Sequence, residues 1–351
     1  MEHCGEALKL IEELGADAVL VSNRANIRFL SGYTNDRGYL LLTEGGRYLL
    51  TDFRFTTQAR AEAKDFKVIE TRNYRAELTE LLKKEKVGVL AFEEEELSYS
   101  LYREFAELPA RLLPVSNVLA SLRRIKTPEE LVLMEEAEHI GDRALKMLLP
   151  ELKPGMTEAQ VAAKLEYNMK MLGAEDISFP SIVASGLNSA MPHAMPGPKE
   201  LGEGDFVTMD FGCKYHGYCS DMTRTVVLGK ANEKQKEIYS IVLEAQLECL
   251  TLMKPGSCCR DVHNKAVEVI SRYGYGQYFG HGLGHSVGLE IHENPACNAR
   301  CTDILVPGIV MTDEPGIYIE GFGGVRIEDM LVITEDGCRN FAESPKELIE
   351  L

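Results

Sequence analysis

Two aspartates flank a predicted turn within the segment DFVTMDFGCKYHGYCSDMTRTVVL. The turn is expected to centre on the Tyr215–His216 bond. This centre places Asp210 and Asp221 opposite each other on two antiparallel strands, with Cβ atoms about 5 Å apart. Like charges in that position destabilise a strand pair, and apolar neighbours such as Val207 raise the cost. We therefore expect a positive charge between the two carboxylates.

A second pair of acids flanks a glycine-rich turn in the segment GIVMTDEPGIYIEGFGGVRIEDMLVIT. Residues Gly321–Gly324 form this predicted turn, and Glu314 and Glu328 are symmetric about Gly321. A single opposed pair of acids can be a surface accident with no function. Two such hairpins, both within apolar strands, favour a functional site.

Three histidines alternate with glycines in the segment GHGLGHSVGLEIHENP, namely His281, His285 and His292. Glycine lets the backbone pass close to a ligand and leaves room for the imidazole rings. His193 lies on a loop flanked by prolines, in NSAMPHAMPG, and adds a fourth candidate. The other histidines are interpreted as structural residues: His3, His139, His216 and His263.

Four carboxylates and an imidazole are typical ligands of a pair of divalent metal ions. A structural zinc site would instead use Cys and His ligands in a closed tetrahedron. Oxygen-rich ligation with one nitrogen suits Mn²⁺, Co²⁺, Fe²⁺ or Zn²⁺ in a pair about 3.5–4 Å apart. We therefore expect two divalent ions, with Mn first and Co, Zn or Fe as alternatives.

The elements that must position these residues divide into two predicted domains. Residues 1–121 alternate helical and strand-like stretches, with a helix over about 5–15 and a hairpin around Glu44–Gly46. NIRFLSGYT, residues 26–34, is predicted to be a loop near a strand. The second domain, 122–351, carries the candidate site. Its predicted helices are one that begins at Thr127-Pro128, one capped by Thr157, and two over about 232–253 and 259–273.

Composition excludes several classes of protein. The 351 residues carry a formal net charge of −17, which disfavours nucleic acid and membrane surfaces as partners. No apolar run approaches the roughly 18–20 residues of a membrane span, and the N-terminus shows no export signal. The nine cysteines contain no CxxC pair, so we expect reduced thiols and a cytoplasmic location.

These blocks resemble the pita-bread-fold metallopeptidases, in the branch of Xaa-Pro aminopeptidases (aminopeptidase P) and Xaa-Pro dipeptidases (prolidases). NIRFLSGYT and TDFRFTTQA resemble the creatinase-type N-terminal domain. MPHAMPG, TMDFG, GYCSDMTRT, GLGHSVGLEIHENP, TDEPGIYI and GGVRIED resemble blocks of the catalytic domain. The resemblance implies an α/β (α+β) chain, with a creatinase-like α/β domain over 1–121 and a pita-bread catalytic domain over 122–351.

The resemblance also assigns metal ligands. It makes Asp210 a ligand of the first ion and Asp221 and Glu328 bridges between both ions. His285 and Glu314 complete the second ion.

Further site residues follow from the same resemblance. It implies that His193, His281 and His292 line the site and steady the substrate carbonyl and the tetrahedral intermediate. Tyr318, as a substrate-binding residue, and Arg326, as a catalytic residue, support the ligands or the bound peptide.

The implied reaction is cleavage of the bond between an N-terminal residue and a following proline. A hydroxide that bridges the two metal ions attacks the scissile carbonyl. Glu314 is the candidate that carries the proton to the leaving proline nitrogen. The implied partners are proline-containing peptides and a second copy of the chain in a homodimer.

Two departures from the family pattern stand out. Asp313 precedes Glu314 where an apolar or hydroxyl residue is expected. Some dipeptide-specific relatives carry an arginine where this chain has Ala296, with Arg300 a few residues beyond. This favours an aminopeptidase over a strict dipeptidase. Two thiols flank the aspartates and are interpreted as packing residues: Cys213 and Cys219.

Three other interpretations stay open. A methionine aminopeptidase-like enzyme shares the five ligands but usually lacks so long an N-terminal domain. A creatinase-like hydrolase shares both domains, but it needs no metal and would not be expected to keep all five ligands. A non-catalytic pita-bread binding protein is disfavoured by the intact set of ligands.

Overall fold

The computed structural model describes residues 2–351. The chain divides into two compact units, of which the first ends at Arg123 and the second spans Arg124–Leu351. The domain boundary inferred from the sequence, between residues 121 and 122, stays a prediction. Among the described residues, every helix is too short or too polar to cross a membrane.

The first unit is built on one mixed six-stranded sheet. Its strands are β1 Ala18–Val21, β2 Tyr39–Thr43, β3 Gly46–Thr51, β4 Lys67–Glu70, β5 Val89–Glu93 and β6 Arg111–Val115. Its α-helices are α1 Glu2–Glu13, α2 Arg24–Ser31, α3 Thr56–Glu62, α4 Tyr74–Lys84 and α5 Tyr99–Phe105. The strand order is β4-β3-β2-β1-β5-β6, and β2 runs antiparallel to both of its neighbours. The predicted hairpin around Glu44–Gly46 is confirmed by the β2–β3 pairing.

Both faces of this sheet are covered by apolar clusters. Along β1, Leu20 packs into one cluster and Val19 into the other, because successive side chains of a strand point to opposite faces. The loop predicted over 26–34 is wrong, since α2 occupies most of that segment. Asn23 caps this helix and Gly32 ends it in the left-handed region, at φ 73°. This helix has eight residues, fewer than the roughly 11–18 residues over which helical periodicity is usually recognised.

The second unit holds four α-helices and fourteen short strands among its residues, all of which the structure describes. The helices are α6 Pro128–Leu148, α7 Glu158–Met171, α8 Glu233–Leu250 and α9 Cys259–Arg272. The first eight strands are β7 Asp176–Ile177, β8 Ile182–Ser185, β9 Phe206–Phe211, β10 Cys213–Tyr215, β11 Tyr218–Cys219, β12 Met222–Val227, β13 Gly284–Ser286 and β14 Glu293–Cys297. The remaining strands are β15 Val310–Asp313, β16 Gly316–Ile319, β17 Gly323–Arg326, β18 Asp329–Ile333, β19 Cys338–Asn340 and β20 Ile349–Glu350.

Helix starts in this unit follow the predicted caps. Thr127 and Glu130 form a capping box at the start of α6, and Thr157 and Gln160 form another at α7. In each box the Thr hydroxyl accepts a backbone N–H while the N3 side chain accepts the cap's own N–H. The predicted helices over 232–253 and 259–273 are confirmed as α8 and α9, with small shifts at their ends.

Two sheets, in the orders β20-β12-β9-β8 and β14-β13-β15-β18-β19, carry Asp210 and His285. Strand β9 shows how apolar and polar side chains share one strand. Val207 and Met209 pack into the cluster formed with α6 and α7, whereas Phe206 packs into the cluster formed with α8 and α9. The side chain of Asp210, the residue after Met209, lines a cavity instead. The apolar layers therefore fix the strands from which the acids project.

Candidate active site

The first acid hairpin has a different register from the predicted one. Asp210 lies opposite Thr223, not opposite Asp221. The turn consists of His216 and Gly217, which both have positive φ, 46° and 80°, as in a type I′ hairpin. The turn centre is therefore one residue further along the chain than expected. Asp210 and Asp221 still line the same cavity.

The second acid hairpin has the predicted register. Asp313 pairs with Asp329 on one side of the site and Gly316 with Arg326 on the other. The same register places Glu314 opposite Glu328, between these two ladders. The backbone N–H of Glu328 donates to the carbonyl of Thr223 at 3.1 Å, which joins the second hairpin to the first.

His285 faces the acids from β13. Its Nε2 lies 3.4 Å from Asp221 Oδ2 and 3.6 Å from Glu314 Oε1, and its Nδ1 lies 3.2 Å from the carbonyl of Ser286. A proton on Nδ1 would be donated to that carbonyl, which leaves the Nε2 lone pair free to bind a metal. Burial, and then the neighbouring His292, lowers the pKa of His285 to about 4, so the ring is neutral near pH 7.

All five predicted ligands line one cavity of about 510 Å³. His193, His281, His292 and Arg326 line it too, whereas Tyr318 lies outside its wall. The Tyr318 hydroxyl accepts from Arg326 Nη1 at 2.9 Å and lies 2.9 Å from His281 Nε2. The structure thus brings all ten of the predicted site residues into the cavity wall or into contact with it. The rest of the wall is largely apolar: Phe179, Pro180, Ile182, Pro192, Met195, Ile291 and Ala296.

The charges of the cavity do not balance within the protein. Burial raises the pKa of Asp221 and of Glu328 well above the ordinary range, and their acidic neighbours add to the effect. Burial likewise raises the pKa of Glu314 to about 8, although Arg326 opposes the shift. Among the described residues of the wall, Arg326 is the one guanidinium or ammonium group. Its Nη2 donates to Asp210 Oδ2 at 2.6 Å.

A buried oxygen without a partner in the protein also suits a cation ligand. Asp210 Oδ1 is buried and has no hydrogen-bond partner. Ligand atoms of Asp221, His285 and Glu328 all lie within 4.8 Å of one another. Buried carboxylates and a neutral imidazole at this spacing fit one or more divalent ions. The residues present therefore suit the metal that the sequence predicts.

A second group of possible ligands lies away from the cavity, at His139, Asp142 and Glu343. Asp142 already accepts two backbone N–H groups, from Glu343 at 2.9 Å and from Ser344 at 2.8 Å. Glu343 is exposed. These residues hold the C-terminal segment against α6.

Two threonines that support the ligands were missed in the sequence. Thr223 Oγ1 donates to Glu328 at 2.6 Å and accepts from Arg326 Nε at 3.0 Å. Thr312 Oγ1 accepts the backbone N–H of His285 at 3.0 Å and lies 3.3 Å from Glu314 Oε1. Each threonine stands two residues from a ligand along a strand, so the period of two was the signal that could have found them.

The residues that depart from the family pattern differ in whether they line the cavity. Asp313 is fully buried outside the cavity wall, and neither of its carboxyl oxygens has a hydrogen-bond partner. Ala296 lines the wall and Arg300 does not. The predicted packing thiols are buried, and burial raises the pKa of Cys213 to about 12 and of Cys219 to about 11.

Comparison with known proteins agrees with this geometry. The model described as metallopeptidase family M24 matches residues 132–335, and that of the creatinase/prolidase N-terminal domain matches residues 5–125. The chain is 39% identical to an Xaa-Pro dipeptidase from Pyrococcus furiosus over 351 residues, which are 99% of each chain.

Solved structures are also similar over their full length. An Xaa-Pro dipeptidase from Bacillus anthracis has 40% identity and a TM-score of 0.98, with 100% of this chain and 99% of that one covered. An X-Pro aminopeptidase from Thermotoga maritima has 37% identity and a TM-score of 0.93, with 99% of each covered. The α/β fold, with a creatinase-type N-terminal domain and a pita-bread catalytic domain, is thereby confirmed. The chain belongs to metallopeptidase family M24 and is a metal-dependent peptidase.

Proposed function

We propose that this peptidase cleaves the bond between an N-terminal residue and a following proline. The observation that carries the proposal is the cluster of buried acids around His285, which lacks enough positive charge of its own. The relatives from P. furiosus, B. anthracis and T. maritima are named for action on Xaa-Pro bonds. Proline has no N–H and a fixed φ, which makes its peptide bonds poor substrates for general peptidases.

The proposed cofactor is a pair of divalent ions, with manganese as the first to test. When bound, such ions lower the pKa of water and polarise a carbonyl, which is the chemistry that amide hydrolysis needs. The residues that would hold them are five that line the cavity: Asp210, Asp221, His285, Glu314 and Glu328.

Arg326 and Thr223 orient the proposed ligands. The Arg326 guanidinium donates to Asp210 Oδ2 and to Thr223 Oγ1, and Thr223 in turn donates to Glu328. Asp210 and Glu328 therefore each use one oxygen for a protein donor, and Asp210 Oδ1 has no partner in the protein. The single arginine thus sets the directions of two acids at once.

Glu314 is the proposed carrier of the proton. In the chain without metal, burial raises the pKa of Glu314 to about 8, so this carboxyl group takes up a proton more readily than an ordinary glutamate. Its Oε1 lies 3.6 Å from His285 Nε2. In this proposal Glu314 receives a proton from water and returns it to the proline nitrogen.

The imidazoles that line the cavity are proposed to steady the substrate carbonyl. The His292 ring lies 4.4 Å from the His285 ring, nearly perpendicular to it, at 73°. His281 is held between the carbonyl of Gly282, 2.7 Å from its Nδ1, and the Tyr318 hydroxyl. These contacts fix the rings before substrate binds, which reduces the reorganisation needed in the transition state.

A separate question is whether the substrate is a dipeptide or a longer peptide. The names of the relatives include both dipeptidase and aminopeptidase. Arg326 already donates to Asp210, Tyr318 and the carbonyl of Pro192, so it has little capacity left for a substrate carboxylate. Two other residues of the cavity wall, Ala296 and Asn298, are uncharged. We infer that a continuing peptide chain suits this wall better than the C-terminal carboxylate of a dipeptide.

The test is hydrolysis by the manganese-loaded chain of three matched peptides: Xaa-Pro, Xaa-Pro-Yaa and Xaa-Ala-Yaa. We expect cleavage of both proline peptides, a higher kcat/KM for Xaa-Pro-Yaa, and little cleavage of the alanine peptide. Preferential cleavage of the alanine peptide would contradict the proposed function. A higher kcat/KM for Xaa-Pro would contradict only the inference about peptide length.

A further inference from the structure

A buried ion pair lies beside the segment that carries the cavity imidazoles. Lys126 Nζ donates to Glu293 Oε2 at 3.1 Å, and the side chains of both residues are almost fully buried. Glu293 directly follows His292 in the sequence. Neither residue of the pair lines the cavity, and the proposed hydrolysis gives neither of them a part.

The same ammonium group reaches the neighbour of a proposed metal ligand. Lys126 Nζ lies 3.4 Å from Ser286 Oγ, and Ser286 is fully buried. Ser286 directly follows His285, and its carbonyl lies 3.2 Å from His285 Nδ1. One lysine therefore contacts the residue after His285 and the residue after His292.

These contacts span an irregular place in the β13–β14 pairing. His285 pairs with Ala296, whereas the next residue along β13 pairs with Glu293, so the register shifts between the two positions. Irregularities of this kind change the directions of the side chains beside them. The Lys126 ammonium joins the two residues of the pair that follows the shift. It is therefore placed to fix the backbone on which the imidazole directions depend.

Both members of the ion pair are themselves held in place. The backbone N–H of Lys126 donates to the carbonyl of Gly308 at 2.9 Å, and the next residue is the cap of α6. The Glu293 carboxylate accepts the backbone N–H of Glu290 at 3.3 Å. It also lies close to Gly288, where a Cβ atom would be 2.5 Å from Glu293 Oε2. The carboxylate thus holds the turn that leads to the second imidazole, and the lysine holds the carboxylate.

A contribution to stability alone does not explain this arrangement. Desolvation of two charges offsets their attraction, and apolar residues of similar volume often replace a buried ion pair without loss of stability. Groups that orient metal-binding imidazoles have a larger effect, since their loss typically costs about 10–100-fold in metal affinity or activity. Contact with the neighbours of both imidazoles favours a function of Lys126 in orientation.

We propose that Lys126 is a positioning residue, whose ammonium group holds Ser286 and Glu293 so that His285 faces the cavity acids and His292 lines the cavity beside it. The proposal rests on the proposed function for the parts that the two imidazoles play. Lys126 acts through its neighbours and contacts neither imidazole itself.

The first readout is Mn²⁺ binding to the chelated full-length chain, measured by titration calorimetry, and it needs no hydrolysis. Lys126→Met should weaken Mn²⁺ binding about 10–100-fold. Loss of a positive charge alone would strengthen the binding of a cation, so the sign of the change separates orientation from charge. Arg124→Met is the matched control, because Arg124 donates to Asp303 at 3.2 Å from the same segment. Its Mn²⁺ affinity should equal that of the wild type.

The second readout separates positioning from stability. Lys126→Met leaves the buried Glu293 without the ammonium group and should be less stable in urea. The double variant Lys126→Met/Glu293→Gln removes both charges and should regain most of that stability. A positioning function predicts that Mn²⁺ affinity stays low in the double variant, whereas a merely structural ion pair predicts that affinity recovers together with stability.

The third readout is hydrolysis of an Xaa-Pro-Yaa peptide at saturating Mn²⁺. In Lys126→Met, kcat should fall about 10–100-fold with KM little changed, and Lys126→Arg should regain part of the loss. Unchanged or tighter Mn²⁺ binding by Lys126→Met, or full recovery of affinity and kcat in the double variant, would overturn the proposal. Absence of Xaa-Pro cleavage by the wild-type chain would contradict the proposed function, while the Mn²⁺ titrations would still decide the role of Lys126.

Discussion

Glu328 and Asp329 are adjacent buried acids with opposite surroundings. Asp329 receives hydrogen bonds from Arg224 at 2.8 Å and Lys346 at 2.7 Å, together with the side-chain amides of Gln246 and Asn340. Burial opposes its ionisation, but the two cations outweigh burial and lower its pKa. Glu328 has one hydroxyl donor, from a threonine, and burial among other acids raises its pKa.

The comparison separates a structural carboxylate from a functional one. The protein supplies Asp329 with two cations and two amides, so this acid is satisfied by the fold. The fold leaves Glu328 and its neighbours short of positive charge, which a bound cation can provide. Both acids are almost fully buried, so burial alone does not tell them apart.

The largest expected effect is on activity when Glu328 is removed. Glu328→Ala should abolish hydrolysis of Xaa-Pro peptides and lose at least one ion, because the proposed bridge between the ions is gone. With metal removed from both proteins, the melting temperature of the variant should differ little from that of the wild type, since the substitution relieves repulsion among acids. Metal analysis and steady-state kinetics measure the outcome. A variant with full metal content and normal kcat would show that Glu328 is no bridge.

The matching change at the neighbouring position should act on stability instead. Asp329→Ala leaves the buried Arg224 and the partly exposed Lys346 without their shared carboxylate, and loss of one partner of a buried pair costs about 3–5 kcal/mol. The folded fraction should keep its metal. Urea unfolding measures the free energy, with the exposed Glu335→Ala as a control. Normal stability with lost metal would reverse the roles of the two acids.

A smaller effect is expected at the imidazole wall. His292→Ala should lose about 10²–10³ in kcat, or roughly 3–4 kcal/mol, with KM little changed and all metal retained. His285→Ala should lose metal together with activity, because its Nε2 faces two acids. If His292→Ala lost an ion and His285→Ala kept both, the two roles would have to be exchanged.

The smallest expected effect is on the pH dependence of stability without metal. Glu314 has an ordinary pKa of 4.5 and a folded pKa of about 8, so its contribution is fully present below 4.5 and is lost as pH rises through 8. Asp329 acts in the opposite direction, because its folded pKa is lowered and its contribution is lost as pH falls below 3.8.

Urea unfolding of chelated protein at pH 5 and pH 8 tests this prediction. The chelated chain should be less stable at the higher pH, and Glu314→Gln should reduce the difference. Added metal should reduce it as well, since binding stabilises the ionised carboxylates. Greater stability of the chelated wild-type chain at pH 8 would contradict the prediction.

The two acid hairpins show what sequence patterns predict and where they stop. The register at Glu314 and Glu328 follows from glycine at the turn, and the structure has it. At the other hairpin the turn uses His216 with positive φ, which few non-glycine residues adopt, so the centre was misplaced by one residue. Both acids still line the cavity because the error left them on the same face of the strand pair.

Contacts between distant segments were beyond the sequence patterns. The hydrogen bond from Arg326 to Asp210 joins residues 116 positions apart, and that from Thr223 to Glu328 joins residues 105 apart. Local periodicity predicts which face a side chain occupies, not which distant side chain it meets. The contacts of Arg326 and Thr223 with the ligands therefore became visible only in the folded chain.

The central claim is that the cavity acids hold two divalent ions without which Xaa-Pro bonds are not cleaved. The most direct test is a Mn²⁺ titration of chelated protein in which bound metal and hydrolysis of an Xaa-Pro-Yaa peptide are measured on the same samples. The account predicts no hydrolysis without metal and full hydrolysis at two bound ions per chain. Undiminished hydrolysis by protein shown to be free of metal would contradict it.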